Sequence, residues 1–186
     1  DYIESSNTWF ISTTIIEPST SSGSYFGHDI SMNWSGTRIA IGAYGENNVY
    51  VYDATSTSSN PWATYVSNVI TGPSSPTPSR FGYSVSLAED KGDLLVIGAP
   101  DWNRVDLYEL INSSWTRVFS NIGDDIPNII PYDQTSNVTV HSKVTTPSPD
   151  IRSNVSSLQY GFSVDISAFG ERINIGGPGF VYENIN

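Results

Sequence analysis

Phe81–Pro100 reads FGYSVSLAEDKGDLLVIGAP, and two other stretches copy its beginning, middle and end: Phe26–Tyr44, FGHDISMNWSGTRIAIGAY, and Tyr160–Pro178, YGFSVDISAFGERINIGGP. Each copy has an aromatic-Gly pair, an alternating apolar run, a polar turn, a second alternating run, and a Gly-Ala or Gly-Gly step about fifteen residues after the first glycine. In the middle copy Val85 and Leu87, then Leu95, Ile97 and Ala99, fall on every second residue, which in a strand places them on one face. The intervening AEDKGD is a polar cluster in which Gly92 supplies the positive φ of a tight hairpin. Val96 and Gly98 are also non-polar, so the second strand is expected to be covered on both faces. The pattern is a β-hairpin written three times.

A supersecondary unit repeated at a spacing of tens of residues is a stacked unit, because one copy alone cannot bury its own apolar face. The residues resemble the FG-GAP repeat, the blade unit of integrin-α-type β-propellers. The matching parts are Phe26-Gly27 with Gly42-Ala43, Phe81-Gly82 with Gly98-Ala99-Pro100, and Tyr160-Gly161 with Gly176-Gly177-Pro178. The continuations match as well: Asn48–Tyr52, Arg104–Tyr108 and Phe180-Val181-Tyr182, with a Trp opening the next strand at Trp62 and Trp115. The resemblance implies an all-β, β-propeller-like array of about three four-stranded blades.

Taken in order, Trp9–Ile16 (WFISTTII) reads as a β-branched, aromatic strand. The first unit covers about 25–70, the second about 81–122 and the third about 160–182, all within a single repeat domain over 1–186. The Pro-rich TGPSSPTPSR between the first two is an extended surface connection. Residues 123–159 form a long insertion, in which Val138–Val144 alternates well enough for a small extra strand. The third unit stops one strand short, so the lone N-terminal strand is expected to complete its sheet, the strand exchange by which propellers tie their ends. Three blades are fewer than the four to eight that ordinarily close a ring. A piece of a longer propeller, several chains completing a ring or stack, and an atypical small assembly all stay open. The opening Asp1 fits a processed product or a piece of something longer.

Composition narrows the function classes. Hydrophobic residues at 38%, charged residues at 15%, with 15 Gly and 11 Pro, describe a turn-rich globular chain rather than a disordered or helical one. The formal net charge of −11, without any Lys/Arg cluster, argues against nucleic acid as a partner. No run approaches the length of a membrane span. The absence of cysteine excludes disulfides, thiolate metal sites and cysteine nucleophiles.

The chemistry-bearing residues point to no reaction. Hairpins of the resembled family often carry a Ca²⁺ loop, and hard cations need six to eight oxygens. The three equivalents here are MNWSGTR, AEDKGD and SAFGER. Only AEDKGD offers more than one carboxylate, with Lys91 among them, so all three read as plain turns and no cofactor is expected. His28 stands where the other units have Tyr83 and Phe162, and is expected in a packing or surface role; His141 lies in the insertion. No G-x-S-x-G elbow and no phosphate-cradling glycine loop is present.

Asn-x-Ser/Thr sequons fall at Asn33, Asn112, Asn137 and Asn154, in expected turns or the insertion, where exposure would make them glycosylation sites in a secretory pathway. Trp9, Trp62 and Trp115 recur at corresponding positions and are expected to pack. Trp34 and Trp102 lie in loops and are the candidate contacts to sugar or protein. The expectation is a non-enzymatic structural or adhesive module, binding other proteins or copies of itself, outside the cytoplasm at an extracellular, cell or virion surface. A carbohydrate-binding module and a fragment of an FG-GAP-containing hydrolase are the alternatives.

Overall fold

The structure, a computed structural model, describes residues 2–3, 8–9, 11, 13–18, 22–56, 61–74, 79–120, 159, 161–177 and 180–183. Their strands are β1 (Tyr2–Ile3), β2 (Thr8–Trp9), β3 (Ile30–Met32), β4 (Arg38–Ala43), β5 (Asn48–Ala54), β6 (Tyr65–Thr71), β7 (Ser84–Leu87), β8 (Leu94–Ala99), β9 (Arg104–Ile111), β10 (Ser114–Phe119), β11 (Ser163–Ile166), β12 (Ile173–Gly177) and β13 (Phe180–Glu183). Each repeat folds into its own antiparallel meander: β3-β4-β5-β6, β7-β8-β9-β10 and β11-β12-β13. The three sheets stack as blades with their first strands adjacent, which is the β-propeller-like architecture. Residues 121–158, which hold Val138–Val144 and most of the insertion, lie outside the described residues.

The alternation read in the sequence sets the register. Val85 pairs with Ile97 and Leu87 with Leu95, so their side chains share one face, and every residue of β8 is buried. That face meets the first blade: Ala40, Val49, Val51 and Ile70 pack with Phe81, Val85, Leu87, Leu95, Ile97 and Tyr108. The opposite face, with Leu94, Val96, Val105 and Leu107, packs on Ile166, Ile173 and Ile175 of the third blade. Burying one such aliphatic side chain contributes about 1.5–3 kcal/mol, so these two seams carry most of the hydrophobic stabilisation. The middle blade is the shared core of both.

Asp106 lies within the first seam at 0% exposure. Two 2.7 Å hydrogen bonds from Arg104 Nε and Nη2 neutralise it, and Arg117 Nη1 stands 3.7 Å away. A buried carboxylate needs that fork, because an unpaired one would be far too costly to desolvate.

The ends of the hairpins are built alike. Gly36, Gly92 and Gly170 hold positive φ in the three polar turns, as the hairpin reading requires. At the other end, Tyr25, Arg80 and Gln159 adopt left-handed φ of 55, 53 and 48° just before the aromatic-Gly pair. The turns close through His28 N–H to Tyr25 O, Tyr83 N–H to Arg80 O and Phe162 N–H to Gln159 O. Non-Gly residues in this region cost about 1–2 kcal/mol each. Its repetition in all three units marks it as part of the motif.

Two expectations need correction. The segment Trp9–Ile16 does not complete the third sheet. Thr8–Trp9 pairs with Tyr2–Ile3 instead, Thr13 Oγ1 donates to Trp62 O, and Ile15 packs on the cluster of Ile41, Ala43, Tyr50, Tyr52 and Trp62. The outer half of the first blade has a free apolar face that this segment covers. Trp9 is accordingly 80% exposed, whereas Trp62 is buried and Trp115 packs on the first seam, so Trp9 is not their counterpart.

Candidate functional site

The residue after each aromatic-Gly pair, His28, Tyr83 or Phe162, leaves the left-handed turn and enters the first strand of its blade. Because those strands are adjacent, the three side chains form a row across the stack. The His28 ring lies 4.4 Å from that of Tyr83, and Tyr83 lies 4.8 Å from Phe162. The 3-10 turn Tyr44–Glu46 adds Tyr44, edge-on to His28 at 4.7 Å, and Tyr25 stacks on Tyr44 at 4.6 Å with 6° between planes. Tyr25, His28 and Phe162 are exposed, with Tyr44 and Tyr83 half-buried between them. Arg80 lies over the Tyr83 ring at 5.8 Å and pairs with Asp101 at 3.1 Å.

This row is a continuous ribbon of five rings with one cation at its border. Burial, followed by the nearby Tyr25 hydroxyl, pushes the Tyr44 phenol above its ordinary value, while Arg80 opposes the shift. The Tyr44 phenol is therefore a neutral hydrogen-bond donor at physiological pH. Chemically the ribbon offers ring faces for stacking and phenol donors for polar ends, the combination that makes Tyr common in interfaces.

His28 is exposed, and its Nδ1 lies 2.9 Å from Tyr83 O. The neighbouring Asp29 is turned elsewhere: its Oδ1 accepts from Ile30 N–H at 3.0 Å and its Oδ2 from Val85 N–H at 2.7 Å. The pair is not arranged for proton transfer. Among the described residues no group of three His, Cys, Asp or Glu could hold a metal ion. Within those residues no helix is long and apolar enough to cross a membrane.

The residues singled out from sequence do not converge. Trp34 is 83% exposed on the turn between β3 and β4, with its N–H bonded to Glu89 O. Trp102 sits in the 3-10 turn Pro100–Trp102 at the other end of the blades, half-buried under Arg104 at 5.7 Å. They share no surface. Asn33, expected to be exposed, is 6% exposed. Its Oδ1 accepts from Thr37 and Arg38 N–H, and its Nδ2 donates to Ser35 Oγ at 3.0 Å. The side chain folds back to hold its own turn, as Asn does in Asx-type turns. Asn112 is exposed at the β9–β10 turn. Asn137, Asn154 and His141 lie outside the described residues.

The correspondence of His28, Tyr83 and Phe162 is visible in the sequence, where it implies a packing or surface role and not a shared row of rings. The signal was the recurrence of an aromatic or imidazole ring one residue past each aromatic-Gly pair. A second surface, a cleft of about 270 Å³ between β6 and β10, is lined by Val69, Ile70, Tyr108 and Trp115 among others. Arg38 covers its Trp115 ring at 5.6 Å.

No protein-family model matches the chain, and no curated protein matches it significantly. Among solved structures it is similar to the β-propeller domain of Myceliophteria thermophila Cps50 (Swd1), with a TM-score of 0.49 and 8% identity over 84% of this chain and 39% of that one. It is also similar to Kuenenia stuttgartiensis hydrazine synthase, with a TM-score of 0.47 and 9% identity over 91% of this chain and 33% of that one. The chain thus spans about two fifths and one third of these structures, and likenesses of this size bear on neither activity nor partner.

Proposed function

We propose that this chain is a non-enzymatic, FG-GAP-like interaction module that binds other proteins through the ring ribbon of Tyr25, Tyr44, His28, Tyr83 and Phe162. The observation that carries this reading is the ribbon itself. Five rings stay in contact across all three blades without being buried in either seam, so blade packing does not account for their placement. An integrin-like use of one end of the blades for protein contact is the family-level analogy, and analogy of fold does not by itself fix function.

The non-enzymatic reading is supported by the occupied carboxylates: Asp29 and Asp106 are both committed to structural hydrogen bonds. Placement at an extracellular, cell or virion surface rests on the resemblance and on the exposed Asn112 sequon. The hydrolase alternative gains nothing from His28, which faces rings. The carbohydrate alternative keeps one supporting fact, since exposed Tyr faces also stack on sugars.

A parallel selection separates the two readings. The chain is panned against a random peptide library and a glycan array, alongside a Tyr25→Ser/Tyr83→Ser/Phe162→Ser variant matched in melting temperature. Peptides enriched by the native chain and lost with the variant are the expected result. Glycan binding that the variant loses would replace the reading with the carbohydrate one.

A further inference from the structure

The two internal seams follow one rule. The first strand of each blade leaves alternate N–H groups unpaired within its own sheet, and side chains of the preceding blade accept them. Ser31 Oγ accepts from Leu87 N–H at 2.9 Å, and Ser86 Oγ accepts from Ile166 N–H at 3.2 Å. The glycine of the Gly-Ala step in each of the first two units seats the next blade's aromatic-Gly carbonyl. A Cβ at Gly42 would stand 2.1 Å from Gly82 O, and one at Gly98 would stand 2.1 Å from Gly161 O. The rule repeats at the same positions of successive units.

Among the described residues, the two outer blades each keep half of this rule. The third blade presents the accepting half: Asp165 stands where Ser31 and Ser86 stand and is exposed, its Oδ1 accepting from Ser86 Oγ at 3.2 Å and its Oδ2 left towards the open side, and the three atoms nearest a Cβ at Gly176 all belong to its strand partner Ser163. The first blade presents the donating half. Met32 stands where Leu87 and Ile166 stand and is 49% exposed, Ile30 is 56% exposed, and a Cβ at Gly27 would meet nothing within 4 Å. The N-terminal segment covers only the outer part of that blade and leaves Ile30 and Met32 uncovered.

We infer that a second copy of this chain docks head to tail, its third blade against the first blade of its neighbour. Asp165 of one copy accepts the Met32 N–H of the other, and Gly27 O of the latter seats against Gly176. Such a contact is heterologous and must close or propagate. Two copies carry six of the described blades, within the range that closes a ring, so closure at two is the expected state. Asn174 occupies the seam where the earlier units have Ala40 and Val96, making this contact more polar and weaker than the internal seams. The inference is independent of what the ring ribbon binds, since the two surfaces do not share residues.

Light scattering of the purified chain across a concentration series, up to on the order of 100 µM, tests this. The expected particle at the upper end has twice the chain mass of 20.3 kDa. Each copy carries a net charge of −11, so the paired fraction is expected to rise with added salt as repulsion is screened. Met32→Glu sets a carboxylate against Asp165 and is expected to weaken pairing about tenfold or more, whereas Met32→Lys sets a cation there and is expected to keep it. Met32 is exposed, and melting temperature confirms that each variant folds. A particle of single-chain mass throughout overturns the inference and leaves the surface to another occupant, such as a further repeat of a longer polypeptide. Pairing insensitive to Met32→Glu, or weakened as much by Met32→Lys, overturns it equally.

Discussion

Tyr52 shows how burial tunes a single group. It is 2% exposed, its hydroxyl has no partner among the described protein groups, and burial, followed by Tyr65 and Tyr50, pushes its phenol up to about 12. The folded chain therefore holds this proton where the unfolded chain, with its ordinary value of 10.0, has released it. Stability from this group is complete below pH 10 and is lost as pH rises towards 12. Tyr52→Phe is expected to fold at least as stably at pH 7, because it removes a buried unpaired hydroxyl. It should also lose stability less steeply above pH 10, as read from urea midpoints at several pH values; an unchanged slope would contradict the assignment. Glycines give a second test at this scale. Gly98→Ala must displace the Gly161 backbone and should cost about 2 kcal/mol or more. Gly176→Ala meets only the rotatable Ser163 hydroxyl nearby and should cost less than about 1 kcal/mol. Denaturant unfolding of both variants in dilute solution checks the order, and equal costs would contradict the seam.

The hairpins were legible at the element scale because their signals are local. Alternation in Leu94–Ala99 and the glycines in the turns specify strand, face and register without knowledge of the rest of the chain. Asn33 was misread because a polar residue in a turn suggests solvent, whereas this one spends its amide on its own turn. Expressed through a secretory pathway, the chain is accordingly expected to carry a glycan at Asn112 and none at Asn33. Glycopeptide mass spectrometry reads both sites, and modification of Asn33 would contradict its burial. The N-terminal segment was misplaced for a different reason. Its β-branched sequence fits any apolar surface, and the choice between the first and third blades depends on which face is left open, which no local pattern records.

For the whole molecule, the repeat count and the stacking followed from the sequence, while the ring ribbon did not. Its existence depends on first strands from three blades lying side by side, so that residues about 55 and 80 positions apart, His28, Tyr83 and Phe162, become neighbours. The same adjacency hides the donor–acceptor rule of the seams, which joins Asp29 and Ser31 to Val85 and Leu87, and Ser86 to Ile166. Small hydroxyls and a carboxylate alternating along an inner strand were the only trace of it in the sequence. The stacking of the blades depends on that rule, and amide hydrogen exchange resolved by NMR at low concentration tests it directly. The Val85, Leu87 and Ile166 N–H groups, though on outward edges of their sheets, are expected to be protected close to the level of β8, with Met32 exchanging freely. Rapid exchange at all four would mean that the blades are not locked together in this register.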